Sequence, residues 1–157
     1  MPRRPQTIHV LSVRQPYADQ IIFGDKWCEN RTWCARYRGP LYIHASRWDG
    51  QKDQETPGEG RTGAIIGRVE LVECIYTHRL MQPKRYLYDW EKELVQRFPP
   101  KRHRSWRHVG GPVAWLLQNP IPLRKPIECG GKLMIWTMEV PAKPRTVPRD
   151  SAAQTAR

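Results

Sequence analysis

Apolar and polar residues alternate in several short segments of this chain, and a period of two is typical of β-strands. Glycine, proline or charged residues bound these segments, which are residues 8–13, 27–33, 40–45, 62–74, 113–118 and 133–140. In the longest segment, 62–74, the apolar positions cannot all lie on one face. Gly67 stands near this change of phase and predicts a bulge or bend in the strand.

Two other segments show the three- to four-residue spacing that is typical of helices. The first follows Pro16, which suits the first helical turn because its missing N–H costs nothing there. Gly24 stands where a left-handed glycine would end this helix. The second helix is predicted over residues 85–98, with its apolar face formed by Tyr86, Leu87, Trp90, Leu94 and Phe98. Five or six short strands, two helices and glycine corners indicate an α+β fold with a barrel-like sheet.

The length of 157 residues is typical of one domain. Residues 1–7 form a basic, proline-containing N-terminal arm, and residues 8–140 carry the periodic pattern of the folded domain. Residues 141–157 are rich in Pro, Ala, Arg and Thr and have no apolar period. The sequence therefore predicts a disordered tail that is dispensable for folding.

The net charge of +12 favours a polyanionic partner such as nucleic acid, although a basic solubilising surface would give the same value. No apolar run approaches the ~18 residues of a membrane span. No secretory signal is visible, so we expect an intracellular protein, cytoplasmic or, in a eukaryote, nuclear. We also expect a monomer. The four cysteines form no C-x-x-C pair. We therefore expect no disulfide and no metal. We also expect no small-molecule cofactor.

Three charged residues, Lys26, Glu29 and Arg31, follow the first predicted helix closely. Strand periodicity places Glu29 and Arg31 on one face, together with Trp27 and Trp33, and Lys26 on the other. A bulge, or a position of Lys26 in the turn after the helix, would bring Lys26 beside Glu29.

This trio has two interpretations. One is a structural salt-bridge network that closes the end of the barrel, with Arg31 clamping Glu29. The other is a polar pocket in which Glu29 accepts hydrogen bonds from an amino-bearing base edge and Arg31 orients it or binds phosphate. Lys26 would then meet a phosphate or a substrate carbonyl. It would be catalytic only in an enzyme, since a lysine acts as a base or nucleophile only when its surroundings lower its pKa.

The most basic run of the chain, residues 101–108, surrounds Trp106 with cationic side chains. Such interleaving suits single-stranded nucleic acid, whose bases stack and whose phosphates are neutralised, unless the loop folds onto its own domain. Tyr17 would stack on a base or else belong to the core. The predicted nucleic-acid-binding residues are Arg14, Tyr17, Lys26, Glu29, Arg31, Lys101, Arg102, Arg104, Trp106 and Arg107.

Residues 24–31 fit the pattern G-x-K-x-x-E-x-R and resemble the signature of the ASCH domain family. Residues 11–16, Leu-Ser-Val-Arg-Gln-Pro, are similar to the L-S-x-x-Q-P motif of the subgroup that includes a eukaryotic transcription coactivator. Further blocks fit the same subgroup, at residues 38–46, 67–74, 111–115, 119–120 and 135–136. The resemblance implies a PUA-like fold, a small mixed β-barrel with flanking helices. It also implies RNA or DNA binding, with RNA slightly favoured.

The resemblance leaves two other functions open. One is a hydrolase, either a ribonuclease or an enzyme similar to the N4-acetylcytidine amidohydrolases, whose catalytic lysine matches Lys26. That branch has threonine where this chain has Glu29, and its further catalytic glutamate aligns with no residue here, although Glu91 or Glu93 could serve. The other is a protein-interaction module of a transcription or RNA-processing complex. No phosphate loop, dinucleotide fingerprint or G-x-S-x-G motif is present.

Overall fold

A computed structural model describes residues 4–48, 56–100 and 106–148. The strands are β1 (Gln6–Gln15), β2 (Cys28–Arg31), β3 (Gly39–Trp48), β4 (Ala64–Tyr76), β5 (Val113–Glu128) and β6 (Ile135–Val140). The α-helices are α1 (Tyr17–Ile22), α2 (Thr77–Leu80) and α3 (Asp89–Arg97), and two 3-10 helices span Lys84–Tyr86 and Trp106–His108. The predicted α+β class is confirmed. In the described part of the chain, no helix has the length and apolar character needed to cross a membrane.

The six strands form one mixed sheet in the order β2-β5-β4-β3-β1-β6. β1 is parallel to β3, with Ser12 opposite His44, and antiparallel to β6. β2 is antiparallel to β5, with Glu29 opposite Trp115. β2 and β6 are the two edges of the sheet, so the strands seen in the described ranges remain open and do not close into the predicted barrel.

The chain divides into two compact units that alternate along the sequence. The first unit comprises residues 1–24, 40–70 and 119–157, and the second comprises residues 25–39 and 71–118. β4 and β5 each contribute residues to both units. Of the predicted site residues, Arg14 and Tyr17 therefore belong to the first unit, whereas Lys26, Glu29 and Arg31 belong to the second.

The first unit has an apolar core from the inward positions of its strands, formed by Ile8, Val10, Tyr42, Ile65, Leu123, Trp136 and Val140. At the start of α1, the Gln15 side chain donates to Asp19 Oδ1 at 2.7 Å and accepts from Asp19 N at 3.1 Å. Asp19 Oδ2 in turn accepts from Gly60 N at 2.7 Å. These bonds satisfy polar groups at the helix N-terminus and fix α1 against the sheet.

Gly24 and Gly67 both serve close packing, and Gly24 does not have the left-handed conformation that the sequence predicts. Gly24 does not have the positive φ of a left-handed helix end, but a Cβ there would lie 2.9 Å from Gln20 O. β4 continues through Gly67, where a Cβ would lie 2.6 Å from Ile22 Cδ1. The bare backbone at Gly67 thus gives α1 room to pack on β4.

The second unit has its own core, formed by Trp27, Cys28, Ile75, Leu80, Leu94, Phe98, Ala114 and Leu116. The helix predicted over residues 85–98 begins later, at Asp89, because a 3-10 helix and two extended residues, Leu87 and Tyr88, precede it. Leu94 and Phe98 are buried as predicted, but Tyr86 and Trp90 are 58% and 52% exposed. The prediction that these two aromatic residues face the core was wrong.

The segment after β6 also differs from the prediction. Leu123 and Thr146 form an antiparallel bridge. Arg124 N donates to Arg145 O, and Val147 N donates to Pro122 O, each at 2.9 Å. Residues 145–147 are therefore hydrogen-bonded to β5, and disorder does not begin at Pro141. The sequence missed this because backbone pairing needs no apolar period. Residues 149–157 lie outside the described part of the chain.

Candidate functional site

The signature residues Lys26, Glu29 and Arg31 lie at the start of the second unit. β2 begins at Cys28, so Lys26 precedes the strand, as one of the two sequence interpretations requires. Lys26 is 5% exposed and Glu29 is 8% exposed. Two charged side chains with so little access to water are uncommon on an ordinary surface.

One face of β2 presents a charged pair against aromatic rings. Arg31 Nε lies 3.6 Å from Glu29 Oε1, and the Arg31 guanidinium lies 5.9 Å from the centroid of Trp115. Trp33 packs edge-on against Trp115, with centroids 4.7 Å apart, and its carbonyl accepts from Trp115 Nε1. Glu29, Arg31 and Trp33 therefore share a face, as the period of two predicts.

The other oxygen of the Glu29 carboxylate is not satisfied within the described protein. Glu29 Oε2 is buried and has no hydrogen-bond partner among the residues that the structure describes. Buried carboxylate oxygens nearly always accept hydrogen bonds, because an unmet acceptor loses its solvation without compensation. This oxygen therefore keeps an unmet capacity to accept an N–H donor.

The opposite face of β2 holds the end of the basic segment. Asn30 Nδ2 donates to His108 O at 2.8 Å, and Gly110 N donates to Asn30 Oδ1 at 3.0 Å. The Cys28 thiol also donates to His108 O, at 3.4 Å. Sequence reasoning assigned no role to Cys28 and Asn30, although the period of two already placed them together opposite Glu29.

Three charged or titratable groups, Asp25, Arg107 and His108, meet beside the signature. Arg107 Nη2 donates to Asp25 Oδ1 at 2.7 Å, and His108 Nε2 lies 2.9 Å from the same oxygen. The charge of Lys26 also acts on His108. Sequence reasoning missed Asp25 and His108. The available signal was an acidic residue next to Lys26 and a histidine that ends the basic run.

The pKa values of these groups follow from burial and from their partners. Burial alone would raise the pKa of Asp25, but hydrogen bonds from His108 and Arg107 outweigh it and lower the pKa below its usual range. Burial lowers the pKa of His108 below its usual range. The hydrogen bond to Asp25 opposes this shift, and the positive charges of Lys26 and Arg107 add to it. His108 is therefore neutral at pH 7.

Burial raises the pKa of the Cys28 thiol to about 11, a shift that Lys26 opposes and Glu29 supports. Only the thiolate is a strong nucleophile, so Cys28 is a hydrogen-bond donor and not a reactive cysteine. Within the described ranges, no group of three or more His, Cys, Asp or Glu residues is placed to hold a metal ion.

The described end of the basic segment is both anchored and accessible. Trp106 packs edge-on against Trp27, with ring centroids 6.0 Å apart, yet it is 42% exposed. The Arg107 side chain is 52% exposed despite its ion pair with Asp25. The other predicted cations of this segment, Lys101, Arg102 and Arg104, lie outside the described residues.

The first unit holds the other two predicted residues. Arg14 is exposed near the end of β1, opposite Ser46 of β3, and Tyr17 is half-buried as the first residue of α1.

The two glutamates considered for a hydrolase differ in environment. Glu91 is 2% exposed, and its carboxylate accepts from Arg79 Nε at 2.8 Å and from Tyr88 N at 2.8 Å. Glu93 is exposed on α3. Glu91 thus caps α3 and pairs with Arg79, which accounts for its burial without a catalytic role.

Comparison with known proteins gives a consistent family match. The family model described as the ASCH domain matches residues 11–125. Activating signal cointegrator 1 from Homo sapiens is 25% identical over 145 residues, covering 82% of this chain and 22% of that protein. The protein of the same name from Mus musculus matches with the same identity and coverage. The chain thus spans about a fifth of the length of these curated relatives.

Solved structures that match this chain come from Zymomonas mobilis. The crystal structure of its ASCH protein has a TM-score of 0.47 and 16% identity, covering 94% of this chain and 91% of that chain. A serine-to-alanine mutant of the Zymomonas protein has a TM-score of 0.42 and 19% identity, covering 76% of this chain and 72% of that chain.

Proposed function

This chain belongs to the ASCH domain family, and we propose that it binds single-stranded nucleic acid, RNA or DNA, through its second unit. The observation that carries this proposal is Glu29 Oε2, a buried acceptor without a partner in the described protein. In the proposed complex, an exocyclic amino group of an unstacked base donates to this oxygen. Single-stranded bases are commonly read in this way, by hydrogen bonds to their exposed edges.

The neighbours of Glu29 support this role. Arg31 forms an ion pair with the Glu29 carboxylate at 3.6 Å and lies over the Trp115 ring at 5.9 Å, so that a positive charge adjoins the carboxylate. Lys26 supplies a buried positive charge that would attract a phosphate. Trp106 offers part of its ring for base stacking, which contributes about 1–3 kcal/mol per base in single-strand binders.

This arrangement makes a specific prediction about base preference. A carboxylate accepts hydrogen bonds but cannot donate them, and cytosine presents an amino group where thymine presents the acceptor O4. We therefore expect oligo(dC) to bind more tightly than oligo(dT) of the same length. Comparison of oligo(rC) with oligo(dC) then decides between RNA and DNA, since the 2′-hydroxyl distinguishes them.

The test is a fluorescence-anisotropy titration with wild type and the Glu29→Gln variant. Loss of the charged acceptor should weaken oligo(dC) binding by about 1.5–3 kcal/mol. A glutamine amide can also donate to O4, so the preference for dC over dT should shrink. Glu93→Gln removes the same charge from an exposed position of α3 and should leave both affinities unchanged. Equal dC and dT affinities in wild type would refute the role of Glu29.

A hydrolase is the second candidate, favoured by the burial of Lys26 and the action of its charge on His108. Lys26→Arg separates the two functions, because arginine keeps the positive charge but cannot lose its proton. A binding domain should keep most of its affinity in this variant and show no turnover of acetylated cytidine or single-stranded RNA. Turnover by wild type that disappears in Lys26→Arg would establish the enzyme instead.

A further inference from the structure

The first unit contains a basic cavity that the sequence analysis did not anticipate. Its volume is about 420 Å³, and it is lined by Arg68, Arg124, Lys143, Pro144, Arg145 and Thr146. Two of the lining cations come from the sheet and two from the segment after β6, which was predicted to be disordered. Pairing of that segment with β5 therefore creates the cavity.

The charge of this cavity is unbalanced. Among the described residues, its lining has four cationic side chains and no carboxylate. Glu70 is an acidic group nearby, since its charge and that of Arg68 both act on Tyr42. The described lining therefore carries four positive charges and no negative one. Because like charges repel, such a cluster is costly unless an anion joins it.

Two of the arginines are held in place. Arg124 Nε donates to Thr146 O at 3.2 Å, and Arg124 N donates to Arg145 O at 2.9 Å. Arg68 is hydrogen-bonded to the hydroxyl of the buried Tyr42. Lys143 and Arg145 are exposed. Fixed arginines beside accessible cations suit phosphate, which guanidinium groups bind through paired hydrogen bonds.

We propose that this cavity is a second phosphate-binding site, which holds the sugar–phosphate backbone of a nucleic-acid strand. The proposal rests on the nucleic-acid-binding function proposed above. The described lining has no aromatic side chain on which a base would stack, so the site contacts backbone and not base edges. Contacts of this kind add affinity and position the strand without reading its sequence.

The test compares two double variants with the same net charge in salt titrations with a labelled single strand. Lys143→Gln with Arg145→Gln removes two cavity cations, whereas Arg47→Gln with Lys125→Gln removes two exposed cations of the same unit outside the cavity. Each single-strand phosphate contact adds about −0.7 to the salt slope. The ratio of the affinity at about 50 mM salt to the affinity at about 200 mM salt should therefore be roughly sevenfold smaller in the cavity variant than in wild type. In the control variant this ratio should equal that of wild type.

The outcomes separate this proposal from the one on which it rests. An unchanged slope in the cavity variant, with normal melting, overturns the cavity proposal and leaves the Glu29 test standing. Absence of strand binding by wild type overturns the strand assignment together with the proposed function. Inorganic pyrophosphate at matched ionic strength tests whether the cavity binds a small free phosphate and not a strand. If micromolar pyrophosphate raises the melting temperature of wild type but not of the cavity variant, while the salt slopes of the two proteins for strand binding are equal, the site binds free phosphates and not the strand.

Discussion

At the scale of single residues, His108 combines burial with strong electrostatic coupling. Its imidazole contacts Asp25 and lies within the field of Lys26 and Arg107, and its carbonyl accepts from Cys28 and Asn30. The side chain and the backbone of His108 therefore both link the basic segment to the signature.

The lowered pKa of His108 makes folding sensitive to mild acid. The folded protein keeps His108 neutral at a pH where the unfolded chain already binds a proton, near the ordinary value of 6.5. The stability contributed by His108 is therefore fully present above that pH and is lost as the pH falls through the folded pKa. Lowering the pH from 7.5 to 5 should reduce the melting temperature less in His108→Asn than in wild type.

The matched control is His78→Asn, which replaces an exposed histidine of α2. It should retain the wild-type dependence of melting temperature on pH. Parallel curves for wild type and His108→Asn would contradict the assignment. Asp25 does not interfere in this window, because its lowered pKa affects stability only at and below the ordinary value of 3.8.

Residue contacts were predictable from sequence only at short range. The shared face of Glu29 and Arg31 follows from strand periodicity. The contact between Asp25 and His108 joins residues 83 apart, and no local pattern encodes such a pairing. The burial of Glu29 Oε2 depends likewise on the pairing of β2 with β5.

At the scale of elements, β2 clamps the basic segment through Asn30. The two hydrogen bonds of this side chain, to His108 O and from Gly110 N, contribute about 1–3 kcal/mol if each is worth the usual net amount. We expect Asn30→Ala to lower the free energy of unfolding by that much, measured by urea denaturation. It should also speed amide exchange at Gly110.

Thr32→Ala is the control for this variant, since it changes an exposed residue directly after β2. Its effect should stay within about 0.5 kcal/mol, as for most surface substitutions. An equally small effect of Asn30→Ala would show that the clamp does not hold the segment.

The pairing of the C-terminal segment with β5 is a second element-scale prediction. Val147→Pro removes the N–H that donates to Pro122 O, whereas Val147→Ala keeps it. The proline variant should lose about 1 kcal/mol or more of stability beyond the alanine variant in the same denaturation experiment. Equal stability would restore the sequence prediction that the chain from Pro141 onwards is dispensable.

Element types were predicted better than element ends. The strands were identified because their apolar alternation reflects one buried face. The start of α3 was misplaced because Tyr86 and Trp90 fit a helical spacing, although only Leu94 and Phe98 of the predicted apolar face join the core of the second unit. Exposed aromatic residues are indistinguishable from core residues in a pattern of hydrophobicity.

At the scale of the whole molecule, the net charge of +12 is distributed over both units. The second unit has the signature with Trp106 and Arg107, and the first has the basic cavity formed by Arg68, Arg124, Lys143 and Arg145. Composition predicts a negatively charged partner, but it does not predict where the cavity lies. The cavity depends on backbone pairing between β5 and the segment after β6, which composition does not encode.

Salt dependence of single-strand binding by the wild-type protein tests nucleic-acid binding most directly. We predict that the logarithm of the association constant for a labelled oligo(dC) falls linearly with the logarithm of salt concentration. Three or more phosphate contacts would give a slope of about −2 or steeper, at −0.7 for each contact. A binding constant that does not change with salt, or no binding at low salt, would contradict nucleic acid as the partner.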